Sequence, residues 1–462
     1  MVDLEIIKIG GGILYNRSCF VRAVSNLRNK VLEGKKIIVV ISALYGVTDF
    51  LVESCKEVFR GNLKSQDMIR ELEQIHWDYI SSLENEKVKI DSQKKIDAAL
   101  LMLQEFVGKI ELARSNEGKH LDFVNSFGER LSPIVLEAYL LDGGIKVKQF
   151  DAEEAGIYCT EGIDCITVDY DKTSKSLHEK ITPLLEEHVV LLPGYYGITQ
   201  QGEVRTFGRG GTDYSAAFIA SIYGVRLEIW KDVPGVMSTD PKLVREAQRM
   251  PFLSYDEAEE LSNAGAKILH PKTMEPMRRN GLEIEIKNFF DLHGHGTIIS
   301  SKRNISENKI KSITINMPIS FMRLQGRSDI SAFRDIFVKK MKDTPLRFSL
   351  VSSWGNEFSL VVKTHELHMS LEKIKEITNG SQGISIDWSS GMALITLVGE
   401  GICEDASVSK LVYDCMRRKN IMVVSPVECF SNIKMNIVLD ERDGANAVRA
   451  MHQEFFNKGD GT

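Results

Sequence analysis

The sequence predicts an α/β protein, with a mostly parallel sheet sandwiched by helices over residues 1–301 and two smaller ferredoxin-like modules after it. Three observations predict this. Short apolar runs alternate with helix-period stretches over the first 300 residues, a polar and charged stretch at 302–312 breaks the pattern, and a β-α-β-β-α-β order then occurs about twice. The domain limits that follow are 1–301, 302–385 and 386–462.

The strand-like runs come first at Leu4-Glu5-Ile6-Ile7-Lys8-Ile9, then at 36–42, 146–150, 188–193 and 225–230. Between them, 64–86 and 93–114 repeat apolar residues at spacings of three and four and read as long helices. Strand and helix alternating in this way argue for a parallel sheet covered on both faces, whose ligands collect beyond the carboxyl ends of the strands. After His293-Gly294-His295-Gly296-Thr297 the character changes. Strands are expected near 311–317, 347–352, 357–363, 392–398, 421–425 and 433–439, and helices near 329–342, 368–378, 405–419 and 443–457.

A chain of 462 residues is too long for one ordinary core and suits two or three domains. A net charge of −6 gives no basic field to draw in nucleic acid or an anionic membrane, so an anionic ligand must be held by a few placed cations. There is no apolar run of the length a membrane span needs, and the opening strand leaves no room for a signal peptide, so the expected location is cytoplasmic. The seven cysteines, scattered without a CxxC pair, read as buried reduced thiols rather than a disulfide framework or a zinc site.

Five stretches could carry chemistry. Lys8-Ile9-Gly10-Gly11-Gly12 ends a strand in three glycines, which let backbone N–H groups approach phosphate oxygens beside a lysine charge. It is neither a Walker A loop nor a GxGxxG fingerprint, and a triple glycine is equally a flexible turn. Ser42-Ala43-Leu44-Tyr45-Gly46-Val47-Thr48 follows the second strand; its hydroxyls suit a small ligand, and Thr48 equally suits a helix cap. Ser126-Phe127-Gly128-Glu129 has the form of a capping box, and Glu129 at a helix start within a cleft would suit a substrate ammonium.

The fourth stretch, Phe207-Gly208-Arg209-Gly210-Gly211-Thr212-Asp213, is the richest. Few structural reasons call for an arginine among glycines, whereas its planar fork on a closely approachable backbone suits a carboxylate. Thr212 reads as an N-cap and Asp213 as a first-turn acid. The fifth stretch runs from Trp230-Lys231-Asp232 through Met237 to Lys242, a Pro/Gly loop able to wrap a nucleotide or simply to connect elements. Downstream, Gly265-Ala266-Lys267-Ile268-Leu269-His270-Pro271 adds one more lysine, and His270 reads as structural.

Together these stretches resemble the aspartokinase branch of the amino-acid kinase family. Its opening KFGGTS is similar to Lys8–Ile13, its SFGE to Ser126–Glu129 and its GRGGSD to Gly208–Asp213. Its W-T-D-V-P-G…T-D-P-R is similar to Trp230–Lys242, and its GAKVLHP to Gly265–Pro271. The C-terminal modules resemble the tandem ACT domains of the same enzymes, most clearly at Met392–Gly399 and Ala447–His452.

The resemblance implies transfer of the γ-phosphoryl of Mg²⁺-ATP to the side-chain carboxylate of L-aspartate, the first step of aspartate-family amino-acid biosynthesis. It implies Lys8 and Asp213 as catalytic, and Ser42, Thr48, Glu129, Arg209 and Thr212 as substrate-binding. ATP would fall to Gly10, Gly11, Gly12, Lys231, Asp232, Met237, Lys242 and Lys267. It further implies a homodimer or larger, with an amino-acid effector at the ACT modules.

This chain departs from the pattern at Gly12-Ile13, where hydroxyls are lost, and at Lys231, Met237 and Lys242, which replace Thr, Tyr and Arg. In the first module Arg347 and Trp354 enter the stretch 346–357, which disfavours a cationic effector such as lysine. Two other functions share these residues: a kinase for another amino acid or carboxylate, and a weakly catalytic ligand sensor. The sensor would not need Lys8, Arg209 and Asp213.

Overall fold

The computed structural model describes residues 3–113, 118–162, 165–266, 268–303, 309–342, 344, 346, 348–378, 383–425 and 428–456. They form two compact units: Met1–Gly235 with Leu269–Ser301, and Val236–Ile268 with Lys302–Thr462. The segment 236–268, which the sequence reading places in the first domain, therefore groups with the second unit.

In the first unit the apolar runs become strands buried on both faces, as parallel strands between helix layers must be. The order is Thr297–Ser300, Ile284–Asn288, Leu227–Lys231, Leu4–Ile9, Lys36–Ile41, Val189–Pro193 and Val147–Gln149. Every pair is parallel except the first, which is antiparallel. Helix Arg17–Leu32, capped by Asn16 accepting from the Cys19 N–H, buries Cys19, Phe20, Ala23, Val24 and Leu27 at spacings of three and four. Two long helices form as expected, Ser65–Ile80 and Glu86–Ala113, but the break falls at 81–85, inside the expected 64–86 helix, and the second helix starts at Glu86 rather than near 93.

Two local readings change. Ser126–Glu129 is no capping box, because helix Gly118–Asp142 runs straight through it, and Ser126 Oγ instead donates to the Phe123 carbonyl at 2.7 Å. Thr48 is not a cap either, since helix Val47–Arg60 starts from Gly46 in the left-handed region at φ 80°.

The second unit is built on two 14-residue antiparallel strands, Ser312–Gln325 and Ser385–Val398, paired along their length with a register shift near Ile319. Their sheet runs Phe348–Trp354, Glu357–Lys363, Ser312–Gln325, Ser385–Val398, Lys434–Asp440, Glu428–Ser431. Each long strand serves both β-α-β-β-α-β modules. Met322, Leu324, Phe358 and Leu360 pack one helix-covered core, and Ile313, Ile395, Leu397 and Ile437 pack the other. The strand expected at 421–425 is a single bridge from Val423 to Leu439.

A buried polar network fixes segment 236–268 within this unit. Ser254 and Glu257 cap helix Tyr255–Asn263 reciprocally, and Lys311 Nζ lies 3.1 Å from Glu257 Oε2. The Glu400 N–H donates to Glu257 Oε1 at 2.9 Å, and Ser254 Oγ donates to Glu400 Oε1 at 2.9 Å. Ser238 Oγ meets His452 Nε2 at 2.9 Å.

Cys19, Cys55, Cys159 and Cys415 are free and buried and Cys165 is free and exposed, whereas Cys403 is disulfide-bonded, contrary to the reading of reduced thiols throughout.

Candidate active site

Parallel pairing makes the first part of the site. Ile9 stands opposite Ile41 and Trp230, and Ile41 opposite Pro193, so the loops after four strands open at one edge of the sheet. Those loops carry Gly10–Gly12, Ser42, Gly194 and Lys231-Asp232. Glycine lets the segments close on one another. A Cβ on Gly11 would lie 2.8 Å from the Ala43 carbonyl oxygen, one on Gly128 2.8 Å from Ala43 Cβ, and one on Gly194 2.3 Å from Thr212 Cγ2. A Cβ on Gly12 would meet nothing within 4 Å, so that position faces open space.

The turn Phe207–Gly211 has Gly208 at φ 76° and Gly210 at φ 73°, backbone that favours glycine. Gly210 is the N-cap of helix Gly211–Tyr223. Thr212, read from sequence as the cap, therefore lies inside the first turn, with Asp213 beside it. Arg209, between the two left-handed glycines, is exposed and makes no hydrogen bond or ion pair among the described residues.

Lys8 Nζ lies 2.7 Å from Asp213 Oδ1. Burial pushes the Asp213 carboxyl up, but the charges of Lys8, Lys231 and His270 together hold it below its ordinary value. At Lys231, burial and the Lys8 charge draw the ammonium below its ordinary value against the pull of Asp213 and Asp232. Two lysines thus share one aspartate at the helix N-terminus, where an anion also meets unpaired backbone N–H groups.

Glu129 is 3% exposed. Thr212 Oγ1 donates to its Oε1 at 3.5 Å and meets Ser42 Oγ at 3.2 Å, while Oε2 has no partner among the described residues. Burial raises the Glu129 carboxyl to about 8, against a backbone hydrogen bond from Ala43 and the Lys8 charge. A buried carboxyl with one unused oxygen beside a cluster of cations is a mark of a functional site. Half-buried Thr48 borders it, its Oγ1 3.5 Å from where a Gly128 Cβ would stand.

The structure therefore brings together Lys8, Gly10, Gly11, Ser42, Thr48, Glu129, Thr212, Asp213 and Lys231, with Gly12 and Arg209 on adjoining loops. Asp232 is exposed next to Lys231. Met237 and Lys242 belong to the second unit, where the Met237 carbonyl accepts from Ser312 Oγ at 2.9 Å and Lys242 is exposed. Lys267 and Arg347 lie outside the described residues.

Sequence reasoning missed Gly194-Tyr195, whose Tyr195 sits at φ 73° and accepts the Phe207 N–H at 2.7 Å; the Pro-Gly pair closing a strand was the available signal. It also missed Lys272, for which no local pattern exists. His270, read as structural, does cap helix Pro271–Arg279 through Nδ1, which accepts the Lys272 N–H at 3.2 Å.

No group of three His, Cys, Asp or Glu able to hold a metal occurs among the described residues. Asp213 Oδ1 is buried without a well-aligned hydrogen-bond donor, despite its close ion pair. One such carboxylate fits a magnesium ion carried mainly by nucleotide phosphates.

Residues 3–288 match the amino acid kinase family. Aspartokinase 1, chloroplastic, of Arabidopsis thaliana is 25% identical over 445 residues, covering 92% of this chain and 75% of that one. Aspartokinase 2 of Bacillus subtilis is 27% identical over 345 residues, covering 73% and 82%. Among solved structures, E. coli aspartokinase III in complex with aspartate and ADP in the R-state superposes with a TM-score of 0.80 at 21% identity, covering 98% of this chain and all of that one. That likeness extends to the C-terminal unit and speaks for the fold. With its match running through the strands and loops that build the site, this chain belongs to the amino acid kinase family.

Proposed function

We propose that this chain is an aspartate kinase, transferring the γ-phosphoryl of ATP to the side-chain carboxylate of L-aspartate to give 4-phospho-L-aspartate and ADP. The observation that carries the reading is the Lys8–Asp213 pair at the carboxyl end of the sheet, next to the buried and half-satisfied Glu129. The similarity to named aspartokinases over most of the chain supports the choice of acceptor.

The acceptor needs no general base, because a carboxylate with a pKa near 3.9 is already ionised. One of its oxygens forms a bond to the γ-phosphorus as the bond from that phosphorus to the β–γ bridging oxygen breaks, and ADP leaves with the electron pair. The difficulty is bringing two anions together. Lys8, with Lys231 beside it, offers positive charge where negative charge spreads on the transferring group, and the Gly10–Gly12 backbone offers N–H donors. Asp213 holds the Lys8 ammonium in place. Arg209 takes the α-carboxylate in its fork, Glu129 takes the α-ammonium, and Ser42, Thr48 and Thr212 fill the remaining polar contacts. Asp213 would also hold Mg²⁺, which when bound neutralises part of the β- and γ-phosphate charge. Asp232 would contact nucleotide.

On this reading residues 1–301 form the catalytic domain, and 302–385 with 386–462 form two ACT modules of a cytoplasmic homodimer. An amino-acid effector would bind at these ACT modules. ADP release measured over a panel of amino acids and carboxylates tests the assignment. Aspartate should give the highest kcat/KM, and Lys8→Ala should lower kcat about a hundredfold. A higher value for another acceptor would move the protein to a different member activity of the family.

A further inference from the structure

The turn that presents Arg209 is braced from behind by Lys272. Lys272 lies just inside helix Pro271–Arg279, and its Nζ reaches out of that helix to two other parts of the chain. It donates to the Ile166 carbonyl, on strand Ile166–Val168, and to the Phe207 carbonyl at 3.2 Å, the residue that opens the glycine turn. The same ammonium stands 4.6 Å from the ring centroid of Tyr214 and 5.7 Å from that of Phe207. One cation therefore holds both ends of the turn: a carbonyl and ring at Phe207 before Gly208, and a ring at Tyr214 after Asp213.

Its neighbour His270 completes the support. The Lys272 N–H donates to His270 Nδ1 at 3.2 Å, and a Cβ on Gly210 would lie 2.7 Å from His270 Cβ. The backbone of the turn thus rests directly on the residue that caps the lysine's own helix. Between these fixed ends, Gly208 and Gly210 are the least restrained residues a chain can offer, and Arg209 has no partner of its own among the described residues. Nothing on the Arg209 side chain sets where its guanidinium stands; the ends of the turn must do so.

We propose that Lys272 is a positioning residue, which fixes the Arg209 turn so that the arginine fork meets the acceptor's carboxylate. Ammonium to carbonyl and ammonium to ring contacts are strong in a partly desolvated setting, and a lysine reaches both from a distance no shorter side chain spans. The kinetic part of the proposal rests on the aspartate kinase reading; the structural part does not.

Two readouts separate them. Arg209 is exposed on its turn, so trypsin cuts the Arg209–Gly210 bond at a rate set by how often the turn opens. In Lys272→Met, cleavage there, followed by mass spectrometry at otherwise native circular dichroism, should quicken about tenfold, whatever the acceptor is. In kinetics, the same variant should raise KM for aspartate about tenfold, with KM for ATP and kcat within about threefold. Lys272→Arg, which keeps a cation with several donors, should restore both measures to within about threefold. Unchanged cleavage at Arg209 in folded Lys272→Met overturns the brace. Faster cleavage with unchanged KM for an acceptor that the wild type does use overturns the positioning role. If Lys272→Met does not fold, Lys272→Arg decides alone: a folded arginine variant with a tenfold higher KM would overturn the proposal. A wild type that does not phosphorylate aspartate refutes the aspartate reading, and leaves the cleavage experiment to judge the brace.

Discussion

Glu129 offers a prediction in which burial, protonation and binding are tied by arithmetic. Its carboxyl is raised from an ordinary 4.5 to about 8 because the group is taken out of water, while Oε1 accepts from Thr212 Oγ1 and Oε2 has no partner among the described residues. At pH 7 about one molecule in ten carries an ionised Glu129. An acceptor ammonium seated on it requires the ionised form, so aspartate binding should release close to one proton at pH 7. Affinity should rise about tenfold from pH 6 to pH 7 and level off above about pH 8. Titration calorimetry in two buffers of different protonation enthalpy measures the released proton directly. Glu129→Gln should bind more weakly, release none and show a flat profile.

The same group sets a sign for stability. Between about 4.5 and 8 the folded form holds a proton that the unfolded chain has lost, so wild-type stability should fall with rising pH, by roughly 1.4 kcal/mol per unit relative to Glu129→Gln. Proton-free binding together with parallel stability curves would refute the reasoning.

Other consequences follow from close approach and burial. Gly11→Ala places its Cβ 2.8 Å from the Ala43 carbonyl and should lower kcat/KM at least tenfold in the same assay. Lys311→Met leaves the fully buried Glu257 without its cation and should cost about 3–5 kcal/mol in urea unfolding of the second unit. Asp213→Asn removes the anion that holds Lys8 and leaves that buried ammonium unpaired, so it should reduce kcat and also lower the urea midpoint of the first unit.

Much of the first unit was legible because parallel strands buried on both faces read as unbroken apolar runs, and Leu4–Ile9, Lys36–Ile41 and Val189–Pro193 are such runs. The glycine turn was legible for a related reason: an arginine flanked by glycines has little structural use. What failed was context. S-x-x-E at Ser126–Glu129 has the spacing of a capping box and equally the spacing of one helix turn, and only the long helix Gly118–Asp142 decides between them. Segment 236–268 gives no local sign that its buried partners Lys311, Glu400 and His452 lie far along the chain. The shared long strands escaped for a similar cause, since a 14-residue strand serving two modules has no pattern distinct from two short ones. Lys272 is a lysine like any other until the Phe207 and Tyr214 rings are placed over it.

The central claim is that the acceptor is the aspartate side-chain carboxylate and the product an acyl phosphate. Incubation with Mg²⁺-ATP, L-aspartate and hydroxylamine tests it most directly, because hydroxylamine converts an acyl phosphate to a coloured hydroxamate. A signal that needs both substrates and is nearly lost in Lys8→Ala is the predicted result; silence with aspartate from folded, nucleotide-binding protein would contradict the account.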